Sequence, residues 1–237
     1  MTNFWRYVGL LLLVQWAVAC SDGAPVGAAA ENRTATGNAA VAQSPRAAPA
    51  EDARLVLAFG DSLYAGYQLA PNEGFAPALE RALQARGVAA RVVNAGVSGD
   101  TSAAGLQRLA FTLDGLDRRP DLVILGLGGN DALRGLSPAE TRRNLAAILA
   151  ELRRRQIPVL LTGMMAPRNM GADYAASFDP IYPDLAREYG AELYPFFLDD
   201  VITRPELLLG DGMHPNARGV DAIVARVAPR VAGELSS

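Results

Sequence analysis

The 237-residue chain contains one histidine, His214, and one cysteine, Cys20. A lone cysteine excludes any intrachain disulfide. One histidine and no cysteine in the body of the chain leave too few ligands for a zinc hydrolase site. No lysine of the phosphate-loop type follows a glycine-rich turn, so a nucleotide site lacks its signature. The net charge is −3 and the basic residues are scattered, which is not the footprint of a nucleic-acid surface. Arg153-Arg154-Arg155 reads instead as the solvated last turn of a helix. No repeat with a period of ~20–50 residues is present. The histidine count also constrains chemistry. Histidine, with an unperturbed pKa of roughly 6.5, is the side chain that both takes and returns a proton near neutrality. A mechanism needing an imidazole base must therefore use His214; the alternative is a surface or helix-capping residue with no chemical role.

The longest apolar run, Val8 to Ala19, follows Arg6. It is short for a membrane span but suits the ~7–15-residue core of a signal peptide. Residues 1–19 are therefore expected to be a leader ending in the small-x-small site Ala17-Val18-Ala19, with Cys20 next. Two outcomes fit: simple cleavage to an exported soluble protein, or lipid modification of Cys20, whose Val18-Ala19-Cys20 context resembles that of a bacterial lipoprotein. A cysteine at the cleavage point favours the second. Residues 20–53, dominated by Ala, Gly, Pro, Asn and Ser, have little to bury and read as a tether. Asn32-Arg33-Thr34 has sequon spacing, which the bacterial-type leader makes coincidental. Residues 54–237 suit one domain, expected in the periplasm or anchored to the periplasmic face of a bacterial membrane.

Within that domain short apolar runs alternate with amphipathic ones. Strands are expected at Leu55–Phe59, Arg91–Asn94, Asp121–Leu127, Pro158–Thr162 and Ala191–Tyr194. The third, apolar on both faces, should be central. Helices are expected at Phe75–Arg86 (closed by Gly87), Ala103–Leu116, Ser137–Arg155, Ser177–Tyr189 and Asn216–Val231. Ser137-Pro138-Ala139-Glu140 has the spacing of a capping box with proline at the first helical position. This β-α-β-α order predicts an α/β fold with a parallel sheet and helices on both faces. Ligands of such sheets bind at the carboxyl ends of the strands. The polar, glycine-rich turns fall there: Gly60-Asp61-Ser62-Leu63 after strand one, Asn94 to Asp100 after strand two, Gly128-Gly129-Asn130-Asp131 after strand three, and Asp211-Gly212-Met213-His214 before the last helix.

One rim thus gathers the parts of nucleophilic catalysis. Ser62 is expected to stand at the sheet's edge in a tight turn that Gly60 permits. A serine hydroxyl is a weak nucleophile without an adjacent base. His214 supplies the base if its loop folds over the first turn, and Asp211 can hold the imidazole's tautomer. A developing oxyanion needs donors, and the Ser62 N–H, the unobstructed Gly99 N–H and the Asn130 amide can provide them. Singly, each residue has a plainer reading as a cap or turn former; four motifs coinciding on one rim are harder to dismiss.

These four strings, in this order, resemble the four blocks of the SGNH (GDSL) hydrolase superfamily across essentially all of residues 54–232. The resemblance implies a three-layer, flavodoxin-like α/β/α sandwich on a five-stranded parallel sheet. It implies a serine esterase with Ser62 as nucleophile, His214 as base, Asp211 as its partner, and Ser62, Gly99 and Asn130 as the oxyanion hole, needing neither cofactor nor metal. Val92-Val93-Asn94-Ala95, Gly128 to Gly135 and Tyr194-Pro195-Phe196-Phe197 look like the subgroup of periplasmic thioesterases, lysophospholipases and arylesterases. Where that subgroup tends to carry an arginine after strand four, this chain has Met164-Met165-Ala166-Pro167, so fine specificity does not transfer. Met164, Met165, Met170 and Met213 all fall near the rim, and methionine adapts to irregular apolar surfaces. These four methionines are therefore expected to line an acyl-chain groove, with Met164, Met165 and neighbouring Pro167 as candidate substrate contacts and ordinary core filling as the alternative.

The substrate class expected is a small acyl ester, thioester or lipid. Two rival functions share the apparatus: a carbohydrate O-acetylesterase of the cell envelope, and a non-catalytic lipoprotein that binds lipid. An α/β-hydrolase is set aside, because Tyr64 stands where its nucleophile elbow requires glycine.

Overall fold

The computed structural model describes residues 53–236. The expected leader, Cys20 and nearly all of the expected tether lie outside the described residues. Five strands, β1 (Arg54–Gly60), β2 (Ala90–Gly96), β3 (Leu122–Gly126), β4 (Val159–Thr162) and β5 (Glu192–Tyr194), form one sheet in the order β2-β1-β3-β4-β5. All neighbouring pairs run parallel. β3 is central, as its two apolar faces demand; all five of its residues are buried. The order 2-1-3-4-5 is the flavodoxin-like one, whose connections reverse between β1 and β3 and open a crevice there.

Among the described residues eight α-helices accompany the strands: α1 (Ser62–Ala65), α2 (Phe75–Gln84), α3 (Ser102–Asp114), α4 (Gly129–Leu133), α5 (Pro138–Arg154), α6 (Ala172–Phe178), α7 (Ile181–Tyr189) and α8 (Ala217–Leu235). Period-two alternation along the strands sorts side chains into two cores. Val56, Ala58, Ile124 and Leu160 meet Leu79 and Leu83 of α2 and Ile223 and Val227 of α8 on one face. Leu57, Phe59, Val123, Leu125 and Leu161 meet Leu109 of α3, Leu145 and Leu149 of α5 and Leu185 of α7 on the other. The result is the expected α/β/α sandwich.

Three local expectations need correction. The helix expected at Ser177–Tyr189 is two helices, α6 and α7, and α6 begins earlier, at Ala172. The break has a cause: Pro180 carries no N–H to continue α6, and the Asp179 carboxylate accepts the Ala166 N–H at 2.8 Å. Pro183 falls in the first turn of α7, where its missing N–H removes no helical bond. The capping box does not form. Ser137 makes no side-chain cap bond, and it is its backbone carbonyl that accepts from Glu140 N–H and Thr141 N–H. The last helix continues to Leu235, because Val231 and Leu235 still bury against the α2 side of the sheet.

Candidate active site

The nucleophile turn is built around a buried ring. Tyr64 is 1% exposed and packs edge-on against Phe75 and stacked on Phe197. Its hydroxyl shares a 2.8 Å hydrogen bond with Thr162 Oγ1 of β4. Gly60 and Gly126, the last residues of β1 and β3, make room for that ring. A Cβ on either would lie 2.4 or 2.2 Å from a Tyr64 ring carbon. Gly60 is therefore required for space, and not, as the sequence suggested, for the conformational freedom of a tight turn; its φ is not among the positive ones.

Asp61 caps α1, its Oδ1 accepting the Leu63 N–H at 3.1 Å. Ser62 follows as the first residue of that helix, a position where backbone N–H groups have no intrahelical partner. The Asp61 carboxylate also reaches across to β3's turn, where its Oδ2 accepts from Asn130 Nδ2 at 3.3 Å. Asp61 is 4% exposed, and burial pushes its carboxyl up from 3.8 to about 6 against the lowering effects of the Leu63 N–H, His214 and Asn130.

The Gly99 turn is fixed from both flanks. Val97 N–H donates to Gly60 O at 3.0 Å, and Asp100 N–H closes the turn onto Val97 O at 3.1 Å. Gly99 has a φ of +85°, a conformation open to glycine at the third position of such a turn. Its carbonyl accepts from Arg134 Nη2 at 2.8 Å. Downstream, the Ser102 N–H donates to Asp131 Oδ2 at 2.8 Å and the Ser102 hydroxyl donates to Asp131 Oδ1. Thr141 Oγ1 donates to that same Oδ1 at 3.2 Å. Asp131, 1% exposed, thus ties the turn bearing Asn130 to the helix that follows Gly99.

Asp211 and His214 sit on a compact loop stitched to α8 by Asn216. The Asn216 amide donates to Glu206 O and Leu208 O at 3.0 and 3.1 Å and accepts the Gly219 N–H at 3.1 Å. Asp211 Oδ1 accepts the N–H groups of Met213 and His214 at 2.9 and 3.0 Å. Its Oδ2 lies 2.7 Å from His214 Nδ1. The His214 backbone N–H chiefly, with the Met213 N–H and the ring adding to it, holds the Asp211 carboxyl down at about 2 against its partial burial. An ionised carboxylate accepts only, so Nδ1 carries the proton and Nε2 is left as an acceptor. Nε2 lies 2.8 Å from Ser62 Oγ, and the Tyr67 ring lies against the imidazole, centroids 4.5 Å apart.

Ser62, Gly99, Asn130 and His214 face one cleft of about 260 Å³. Leu63, Tyr67, Leu133, Met164, Leu198 and Met213 supply its apolar walls. Met165, which is 52% exposed, and Pro167, which precedes a short 3-10 turn, are not among the lining residues. Asp61, Tyr67, Leu133 and Leu198 escaped sequence reasoning; only Asp61, beside Ser62 in the first turn, carried a signal that could have found it. Among the described residues no group of histidine, cysteine and carboxylate side chains has the makings of a metal site.

Residues 58–222 match the GDSL-like lipase/acylhydrolase family. The chain belongs to that family. It is 38% identical over 180 residues to an arylesterase of Vibrio mimicus, covering 76% of this chain and 89% of the relative. It is 40% identical over 169 residues to thioesterase 1/protease 1/lysophospholipase L1 of Escherichia coli K12, covering 71% and 78%. The crystal structure of AlinE4, an SGNH-hydrolase family esterase, superposes with a TM-score of 0.67 at 56% identity, over 77% of this chain and 96% of AlinE4. The chain is accordingly a hydrolase of ester bonds on the α/β fold of its relatives.

Proposed function

We propose that this family member is a serine carboxylesterase that cleaves acyl esters, and acyl thioesters of similar shape, through an acyl-enzyme intermediate. The observation carrying this reading is the continuous hydrogen-bonded line from Asp211 through His214 to Ser62, ending at a cleft that Gly99 and Asn130 also line.

The chemistry follows from the atoms. Nε2 of His214 takes the Ser62 proton as Oγ attacks the acyl carbon, while Asp211 stabilises the imidazolium and keeps Nδ1 protonated. The negative charge that moves to the carbonyl oxygen is met by the N–H groups of Ser62 and Gly99 and by Asn130 Nδ2. Asp61, accepting the amide's other hydrogen, orients Asn130. His214 then returns its proton to the departing alcohol or thiol, and water repeats the sequence to release the acid. Apolar walls at Leu133, Met164 and Met213 favour an acyl chain over a sugar, which sets this reading above the O-acetylesterase.

The enzyme is proposed to work outside the cytoplasm, exported by the leader over residues 1–19 and held, if Cys20 is lipidated, at the periplasmic face of a membrane. Among the described residues no helix is long and apolar enough to cross one. Mass spectrometry of the mature N-terminus separates lipidated Cys20 from a free end. The test of function is hydrolysis of an acyl panel covering p-nitrophenyl esters, acyl thioesters, lysophospholipid and acetylated glycan. Turnover of the acyl esters that is lost in Ser62→Ala and His214→Ala supports the reading. Turnover of the glycan alone favours the acetylesterase, and no turnover by the wild type favours a binding protein.

A further inference from the structure

The two backbone donors of the proposed oxyanion hole lie on different turns, and one guanidinium joins those turns. Arg108, on the inner side of α3, donates from Nη2 to the carbonyl of Gly60 at 2.9 Å. From Nε it donates to Asp100 Oδ2 at 2.6 Å. Gly60 stands two residues before Ser62, and Asp100 immediately follows Gly99. The guanidinium carbon rests 4.0 Å above the ring of Phe59, a fully buried β1 residue, so the fork is held in plane. The side chains of Arg108 and Asp100 are 21% and 11% exposed, which shields the pair from the screening that weakens surface ion pairs.

Resting on the functional reading above, we propose that Arg108 is a positioning residue that sets the separation of the Ser62 and Gly99 N–H donors. It touches no substrate. It works by bracketing the Gly60 carbonyl and the Asp100 carboxylate with one rigid, planar group. Val97 N–H still ties the N-terminal side of the Gly99 turn to Gly60 O, and Asp131 still ties the chain beyond it through Ser102. Loss of Arg108 therefore releases Asp100 between two held points and lets the Gly99 turn shift there. A lysine here keeps the charge but, as a single-point donor on a flexible stem, cannot hold both acceptors in the fixed geometry of the fork.

The test compares Arg108→Lys, Asp100→Asn and the double variant Arg108→Met/Asp100→Asn, which leaves no unpaired buried charge if a single change harms folding. Each is assayed for kcat and KM on a p-nitrophenyl ester. Each is also measured for affinity toward an alkyl trifluoromethyl ketone, which forms a tetrahedral oxyanion on Ser62, and toward an aliphatic alcohol, which fills the cleft without one. Displacing donors by fractions of an ångström is expected to lower kcat about 10- to 100-fold. The affinity of the trifluoromethyl ketone should fall in step, while KM and alcohol affinity stay within about twofold. Folded variants with kcat and trifluoromethyl ketone affinity near wild type, even with a lowered melting temperature, would make Arg108 a staple of α3 and overturn the proposal. Failure of the functional reading is distinguishable, because the wild type itself would then neither turn over ester nor bind the trifluoromethyl ketone more tightly than the alcohol.

Discussion

Replacing Asp211 by asparagine preserves shape and should still disable the enzyme. The carboxylate serves three donors: Oδ1 takes the N–H groups of Met213 and His214, and Oδ2 takes His214 Nδ1. Asparagine offers one oxygen. Turning it toward the ring would face an NH₂ group against two backbone N–H donors and break two bonds, each worth about 1 kcal/mol. The oxygen therefore stays on the backbone, and the NH₂ group faces Nδ1. The imidazole must answer by moving its proton to Nε2, the atom that has to accept from Ser62. The corresponding change in a serine-protease triad lowers kcat about 10⁴-fold. The Asp211 side chain is 37% exposed, so water competes for the ring and a loss of about 10³- to 10⁴-fold is expected, or about 4–5.5 kcal/mol of barrier. Because His214 is the sole histidine, nitrogen-15 spectra of histidine-labelled protein report this one ring without assignment. The wild type should show Nδ1 protonated and Asp211→Asn should show Nε2 protonated. An unchanged tautomer, or a variant retaining more than a tenth of wild-type activity, would refute the reasoning.

Further outcomes follow from other contacts. Asp61→Asn cannot accept from both Leu63 N–H and Asn130, so kcat should fall about 10-fold or more, read in ester hydrolysis at saturating substrate. The same variant tests a linkage. A buried carboxyl raised from 3.8 to about 6 contributes stability that is full below pH ~4 and is lost as pH rises through 6. Relative to Asp61→Asn, the wild type should thus lose stability across that window, by at most about 3 kcal/mol in urea titrations. Gly126→Ala places a methyl 2.2 Å from the fully buried Tyr64 ring, and a loss of about 1–3 kcal/mol or more is expected in the same assay. Met164→Ala should alter the ratio of rates on short and medium acyl esters, whereas Met165→Ala, outside the cleft wall, should leave that ratio unchanged.

The sheet and the site were legible to different depths in the sequence, for physical reasons. Strands were readable because a buried parallel strand is a short uniform apolar run, as Leu122–Gly126 shows. Ser62, Gly99, Asn130, Asp211 and His214 were readable as candidates because each lies in a polar, glycine-rich string directly after a strand or just before the last helix. Their supports were not. Arg108 meets Gly60 across 48 residues and Asn130 meets Asp61 across 69, contacts that no local pattern encodes. The missing capping box has a similar origin: Thr141, in the first turn of α5, donates to Asp131, and the Ser137 carbonyl rather than its hydroxyl receives the helix's first N–H groups. The need for glycine at position 60 came from the Tyr64 ring, which sequence order places four residues on but the fold turns back beneath it. Met165 and Pro167 share the loop after strand four with Met164, but of the three only Met164 lines the cleft, and Met165 is exposed.

The central claim, that Ser62 is a nucleophile activated by His214, is tested most directly by intact-protein and peptide mass spectrometry after reaction with a fluorophosphonate. A single adduct is expected, on the peptide containing Ser62. Ser62→Ala should abolish it, and His214→Ala should slow it by several orders of magnitude. An adduct on another residue, or labelling that persists in Ser62→Ala, would contradict it.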